Sequence, residues 1–407
     1  MKYEHLKDLY YKNETAWEAE YKARFNGPFT KHIDIRIHQY NYSQEFPLFF
    51  CYTEEMVQLL MQIQKLLPAS IESIRQLPPI ALQQFITASL IEEVKSTNEI
   101  EGVRSSREEI KSILALQGSD GKKSRLWGVI NEYVNLTQTT PPVFRTCEDI
   151  RHFYDEFALE EVLSHDPDNG PDGKIFRKES VSIIVGSGRT IHQGITPEAA
   201  IITMMDKSLA LLHDDAMPLL VRVAIFHYLF GYIHPFYDGN GRTSRFITSS
   251  LLAKELHLLI ALRLSLRIKK KLPNYYKLFT EMNSSINRGD LTPFILGFLQ
   301  IIIDTITNTH AVLSNKSVQL KKALEKLRCL PIPDKTTWDI YCLLLQATSF
   351  SGSGITMDII QTTLKKSRNT IQHRIDSIPE NHLLIDKSEK PYQYKLNLML
   401  LKNISSQ

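Results

Sequence analysis

The chain has 407 residues, 43% of them hydrophobic and 23% charged, which is enough for two or three domains and excludes a disordered composition. Lys plus Arg total 48 against 45 Asp plus Glu, and this net charge of +3 excludes a nucleic-acid coat or polybasic membrane anchor as a global property. Cys51, Cys147, Cys329 and Cys342 form no CxxC pair and no Cys/His metal spacing, so the pattern argues against a disulfide framework or zinc site and fits a reducing compartment.

The N-terminal stretch MKYEHLKDLYYKNE lacks the apolar core of a signal peptide. His32 to His38 alternates with a two-residue period and the apolar run Phe46 to Tyr52 follows, together predicting a small hairpin. From Thr53 the period turns helical: one helix to Leu67, then, after Pro78 and Pro79, another from Ile80 to Thr97. Ser105 or Ser106 caps a further helix with Glu108 and Glu109 in its first turn, and helical patterns follow over 124–138 and 148–163. A turn-rich loop over 166–173 precedes two short alternating runs around Gly186-Ser-Gly188, a β-hairpin spanning roughly 181–192. Thr196 and Pro197 predict a helix start, and helices then cover 218–233, 240–256, 271–286 and 293–327. Apolar runs such as Leu291 to Ile306 are interrupted by polar residues, predicting no membrane span and a cytoplasmic protein. Beyond Pro331-Ile-Pro333, three short helical patterns precede an alternating segment from Leu383 to Leu396, the plan of a winged helix-turn-helix.

Residues 234–245 concentrate the chemistry: His234-Pro-Phe236-Tyr-Asp238-Gly239-Asn240-Gly241-Arg242-Thr-Ser-Arg245. The spacing predicts a tight loop feeding a helix N-terminus, where Gly239 and Gly241 admit a ligand to the backbone and free N–H groups attract anions. Arg242 and Arg245 can grip phosphate oxygens, Asp238 can ligate Mg²⁺, and His234 sits at the loop mouth as a general base. These are the parts that phosphoryl or nucleotidyl transfer requires.

The string resembles the signature loop of Fic-family AMP transferases, with every specified position present. His227-Tyr-Leu-Phe230 resembles the family's lead-in helix, although Gly231 stands where a Glu is usual. Tyr275 and Tyr276 resemble the helix beside the nucleotide base and are the adenine-side candidates. Thr97-Asn-Glu-Ile-Glu101-Gly102 resembles the family's inhibitory helix, in the N-terminal position of one self-inhibited class.

The resemblance implies a mainly α fold: a Fic-type helical bundle with a β-hairpin flap, then a winged helix-turn-helix. The expected domains are an N-terminal region over 1–95, a Fic domain over 96–310 and a winged helix over 331–400. It implies a protein adenylyltransferase that moves AMP from ATP to a Ser, Thr or Tyr hydroxyl of a target docked on the flap, with self-modification. In those roles His234 is the base, Asp238 holds Mg²⁺, and Gly239, Asn240, Gly241, Arg242 and Arg245 bind the phosphates. Phe236 anchors the loop and Glu101 inhibits by pairing with Arg245. The alternatives are AMP removal using Glu101, or a DNA-binding regulator with a nucleotide-sensing core that contacts DNA through 368–378. A homodimer is a further implied assembly.

Overall fold

A computed structural model of the chain describes residues 3–40, 42–116, 124–184, 190–387 and 390–402. It opens with two helices that no apolar period announces, α1 (Leu6–Lys12) and α2 (Glu14–Phe25). Each buries a single side chain, Leu6 and Trp17, too few to set a pattern. The expected hairpin follows as β1 (Thr30–His38) and β2 (Glu45–Cys51), whose alternation buries Ile33, Ile35 and Ile37 on one face.

Helix α3 (Glu54–Arg75) overruns the stop predicted at Leu67 and carries Pro68 inside it. A proline gives up its own N–H bond and crowds the carbonyl four residues back, but the turns beyond it pair normally, as in Gln76 N–H to Glu72 O at 3.1 Å. Helix α4 (Pro79–Ile100) starts on a proline and ends at Gly102, whose φ of 75° turns the chain while Val103 N–H bonds Asn98 O at 2.9 Å. Ser106 and Glu109 form a capping box on α5 (Arg107–Ala115), and α6 (Trp127–Gln138) follows.

The next predicted helix is not uniform. A Thr146–Asp149 capping box opens α7 (Cys147–Tyr154), a π turn follows over Asp155–Leu159, and α8 (Glu160–His165) resumes. Strands β3 (Ser182–Ile184) and β4 (Thr190–Gln193) pair antiparallel; the Gly186-Ser-Gly188 turn expected between them lies outside the described residues. Helix α9 (Glu198–Leu212) begins after Pro197 without a side-chain cap from Thr196. Its first residue looks outward instead: the Glu198 carboxylate accepts the N–H groups of Lys174, Ile175 and Phe176 at 3.0, 2.7 and 2.9 Å.

Helix α10 (Leu219–Ile233) is apolar around its whole circumference and accordingly buried on nearly every side. Helix α11 (Asn240–Glu255) packs against it, and α12 (Leu258–Ala261) and α13 (Leu264–Lys270) pack on α11. Helix α14 (Leu272–Met282) and the start of α15 (Thr292–Leu327) meet Tyr228 of α10 through Phe279 and Phe294. By length and composition α15 alone among the described helices is apolar enough to cross a membrane. Its Phe294, Phe298, Ile302 and Ile306 are nevertheless fully enclosed by the fold.

Contacts divide the chain into one unit of Met1–Leu67 with Leu90–Ile306 and a second of Pro68–Ser89 with Thr307–Gln407. Residues 1–95, expected as one region, therefore contribute to both. The second unit contains α16 (Lys335–Ser351), α17 (Met357–Leu364), α18 (Arg368–Asp376) and an antiparallel ribbon of β5 (Leu383–Asp386) and β6 (Gln393–Leu396). Lys365, at φ 52°, makes the turn between α17 and α18, and Ser367 caps α18.

Candidate functional site

Between α10 and α11 the chain makes a tight loop that several distant groups hold in place. Phe236 is fully buried and stacks on Tyr154 with centroids 3.6 Å apart and planes 8° from parallel. The Tyr154 hydroxyl donates to Asp238 O at 3.1 Å. Asn240 brackets the Phe236 peptide, accepting its N–H at 3.0 Å and donating to its carbonyl at 2.7 Å. The Asn240 side chain is thus committed to loop shape, leaving its backbone N–H as the group available to an anion.

Arg177 completes the scaffold. Its fully buried guanidinium donates to His234 O at 2.8 Å, to Ile195 O at 2.9 Å, to Ile233 O at 3.4 Å and to Glu179 O. These acceptors are all carbonyls, so the charge is spread over backbone dipoles.

His234 follows α10 in a left-handed conformation, φ 53° and ψ 63°, which swings its ring out of the helix line. Its Nδ1 lies 3.4 Å from Gly231 O. A carbonyl only accepts, so this contact places the proton on Nδ1 and leaves Nε2 as the proton acceptor. Burial, with the neighbouring His192 and Arg177, pushes the His234 imidazole down to about 3, while Asp238 acts in the opposite sense. His192 is itself pushed down to about 4 by burial and touches Tyr232 O at 2.6 Å. Gly231 has a local reason: a Cβ there would meet Phe279 Cε1 at 2.8 Å.

Gly239 adopts φ 78°, and α11 begins at the next residue. The N–H groups of a first helical turn lack intrahelical partners and, with the helix dipole, form an anion seat. Two arginines follow on the same helix, each fully or almost fully buried. Arg245 donates from Nε to Thr97 Oγ1 at 2.9 Å and from Nη2 to Thr97 O at 3.0 Å. Its Nη2 also lies 2.8 Å from Glu101 Oε1. Arg242 bonds Glu161 through Nη1 and lies 3.7 Å from Asp238 Oδ1 through Nη2. Adjacent on one helix, the two guanidinium groups therefore meet different carboxylates. Glu101 also presses on α11 itself: a Cβ on Gly241 would lie 2.0 Å from its Oε1.

The two tyrosines take different places. Tyr275 is buried and meets His227 Nε2 through its hydroxyl at 2.7 Å, so it belongs to the core beneath Arg245. Burial and Arg245 push that imidazole down to about 3. Tyr276 is 45% exposed and donates to Ile100 O at 3.1 Å, fastening the end of α4. Deeper in α4, fully buried Glu93 accepts the Ser265 N–H on both carboxylate oxygens, and burial raises it to about 7. Among the described residues no group of three or more His, Cys, Asp or Glu could cage a metal. A cation here has Asp238 as its one protein carboxylate at the loop. This suits magnesium carried by a triphosphate, since it takes one or two carboxylates plus phosphate oxygens and water.

The structure brings Glu101 against Arg245 and Gly241 of the loop-to-helix segment. Glu161, Arg177 and Tyr154 were not foreseen: they act on loop groups far from them in sequence, and Arg177 binds only carbonyls, which leave no side-chain signature.

Residues 146–252 match the model of the Fic/DOC family. The curated protein named Protein adenylyltransferase Fic from Drosophila yakuba is 30% identical over 135 residues, 33% of this chain and 24% of the relative. Its namesake from Aedes aegypti is 26% identical over 224 residues, 53% of this chain and 41% of the relative. The chain thus spans well under half the length of these curated relatives. A crystal structure of a Fic family protein from Desulfovibrio desulfuricans G20 superposes with a TM-score of 0.53 at 18% identity. That likeness covers 85% of this chain and 97% of the other, and it extends to the fold.

Proposed function

We propose that the chain is a Fic-type adenylyltransferase that moves AMP from ATP to a protein hydroxyl and is held in check by Glu101. One observation carries this reading: a neutral imidazole whose Nδ1 faces a carbonyl comes just before a helix N-terminus that carries two buried arginines. In the transfer, Nε2 of His234 takes the proton of a Ser, Thr or Tyr hydroxyl. The oxygen then bonds the α-phosphorus as the α–β anhydride breaks, and pyrophosphate leaves. The first turn of α11, Arg242 and Arg245 neutralise the phosphate charge, and Asp238 is the residue that would hold a magnesium ion accompanying the triphosphate. The target segment lies along the β3–β4 hairpin by strand addition.

The Glu101–Arg245 pair supports the restraint. A carboxylate on that guanidinium occupies a donor meant for the terminal phosphate, and displacement of the reacting phosphorus by about 1 Å costs about a hundredfold in rate. The test is incubation of wild-type and Glu101→Gly protein with labelled ATP and cell lysate, read by mass spectrometry for added AMP. The expected result is AMP on protein, stronger with Glu101→Gly. Absence of both nucleotide binding and AMP transfer in Glu101→Gly protein overturns the reading.

For the second unit we propose a winged helix-turn-helix with α18 facing DNA. The supporting observation is that α18 buries only Ile371 and Ile375, leaving Arg368, Asn369, Thr370 and His373 exposed beside Lys365 and Lys366. Duplex binding that weakens steeply with salt and is lost on Arg368→Ala with Lys366→Ala supports it; salt-independent or absent binding removes it.

A further inference from the structure

Arg242 is fully buried, and among the described residues its Nε and Nη2 have no hydrogen-bond partner. Glu161, on α8, is 5% exposed and satisfies Nη1 alone. Its other oxygen, Oε1, lies 4.0 Å from Arg125, whose Nη2 donates to Arg104 O at 2.7 Å and to Glu109 Oε1 at 2.9 Å. A carboxylate thus pins one nitrogen of the guanidinium and leaves the Nε–Nη2 edge unpaired among the described residues, with Nη2 3.7 Å from Asp238 Oδ1.

Glu161 reaches this position through an irregular backbone. The π turn over Asp155–Leu159 separates Tyr154, which anchors the catalytic loop, from Glu161, which holds the arginine. A π turn closes i→i+5 bonds and re-aims every residue after it relative to those before. The bulge needs room against α6, and Gly128 supplies it: a Cβ there would lie 2.2 Å from Glu156 O and 2.7 Å from Phe157 O.

We infer that Glu161 is a positioning residue that presents Arg242 to the β- and γ-phosphates of the nucleotide, with the π turn and Gly128 as the means of placing it. The inference deepens the adenylyltransferase reading by naming the group that orients its phosphate clamp. Orientation matters because buried guanidinium donors bind phosphate bidentately only when their plane is fixed.

The experiment measures ATP and AMP affinity calorimetrically in Glu101→Gly protein, so that it reads the inference whether or not transfer occurs. Adding Glu161→Gln is expected to weaken ATP binding about tenfold or more, while AMP binding changes less than about twofold. In an Arg242→Ala background the same change is expected to have no further effect, since the carboxylate acts through that guanidinium. Because an unpaired buried arginine can destabilise the fold, Glu161→Asp, which keeps the charge but withdraws it from Nη1, is measured in parallel. Its loss is expected to be intermediate. Unchanged ATP affinity in either folded variant, equal weakening toward ATP and AMP, or full persistence of the effect without Arg242 overturns the inference. Failure of AMP transfer alone, with these affinities as expected, would count against the proposed reaction and not against Glu161.

Discussion

An imidazole that stays neutral is the feature on which the proposed chemistry turns at the scale of single residues. The folded-state value for His234 is lowered to about 3, so the proton-accepting form persists throughout the neutral and mildly acidic range. In Glu101→Gly protein, kcat/KM for AMP transfer is therefore expected to show no acid limb near 6.5 and to stay level between about pH 5 and 8. A fall with a midpoint near 6.5 would assign an ordinary, exposed imidazole to the step. His234→Ala is expected to reduce transfer by about 10² to 10⁴, the usual contribution of a general base, with ATP affinity largely kept. The residues of the loop were legible because they are contiguous and each type does one recognisable task. Asn240 shows the limit of that reading: its side chain serves the Phe236 peptide, a local demand that outranks the ligand. Arg242 and Arg245, three positions apart, were read as a matched pair, yet distant Glu161 and Glu101 give them separate partners.

At the scale of elements, the end of α4 is a turn gripped from outside. Tyr276 donates to Ile100 O, and Glu99, two residues after Thr97, pairs with Lys269. A single hydrogen bond contributes about 0.5–1.5 kcal/mol, so Tyr276→Phe is expected to raise basal AMP labelling by about two- to tenfold without reaching the Glu101→Gly level. Unchanged labelling would detach Tyr276 from the restraint. The π turn makes a second prediction. Gly128→Ala puts a methyl into the space of two carbonyls, an overpacking that costs about 1–3 kcal/mol, and differential scanning fluorimetry should show a lower melting temperature. Helical periodicity could not reveal that turn, because one widened turn inside 148–163 leaves the apolar spacing on both sides intact. The stop expected at Leu67 fails for the opposite reason: Pro68 is a strong local signal, yet the helix continues past it and buries Ser70 and Ile74. The short helices α1 and α2 were invisible because Leu6 and Trp17 are single anchors; Trp17 is fixed by a bond from its Nε1 to Ile286 O at 3.0 Å.

For the whole molecule, division of the chain follows contacts more than linkers. Pro331 to Pro333 marks a composition break, yet residues 68–89 and 307–327 belong to the same unit as the C-terminal helices. Within that unit Phe85 meets Phe350 edge-on at 6.2 Å, the Ser351 hydroxyl donates to Gln84 Oε1 at 2.7 Å, and Lys316 donates to Ser349 O at 2.7 Å. A chain ended after Leu330 would expose Phe85, now 2% exposed, and burial of such a side chain is worth about 1.5–3 kcal/mol. The shortened protein is expected to melt at lower temperature or to aggregate on heating, as followed by light scattering. An unchanged melting temperature would show that 331–407 folds apart from the rest.

The depressed basicity of His234 also bears on the site before any nucleotide arrives. Burial, with His192 and Arg177 nearby, makes this half-buried ring a feeble base, poorly suited to activating stray water. A triphosphate carries several negative charges, and anions close to an imidazole raise its affinity for a proton. Arrival of the nucleotide thus strengthens the group that must act on it, so the cargo itself cocks the trigger.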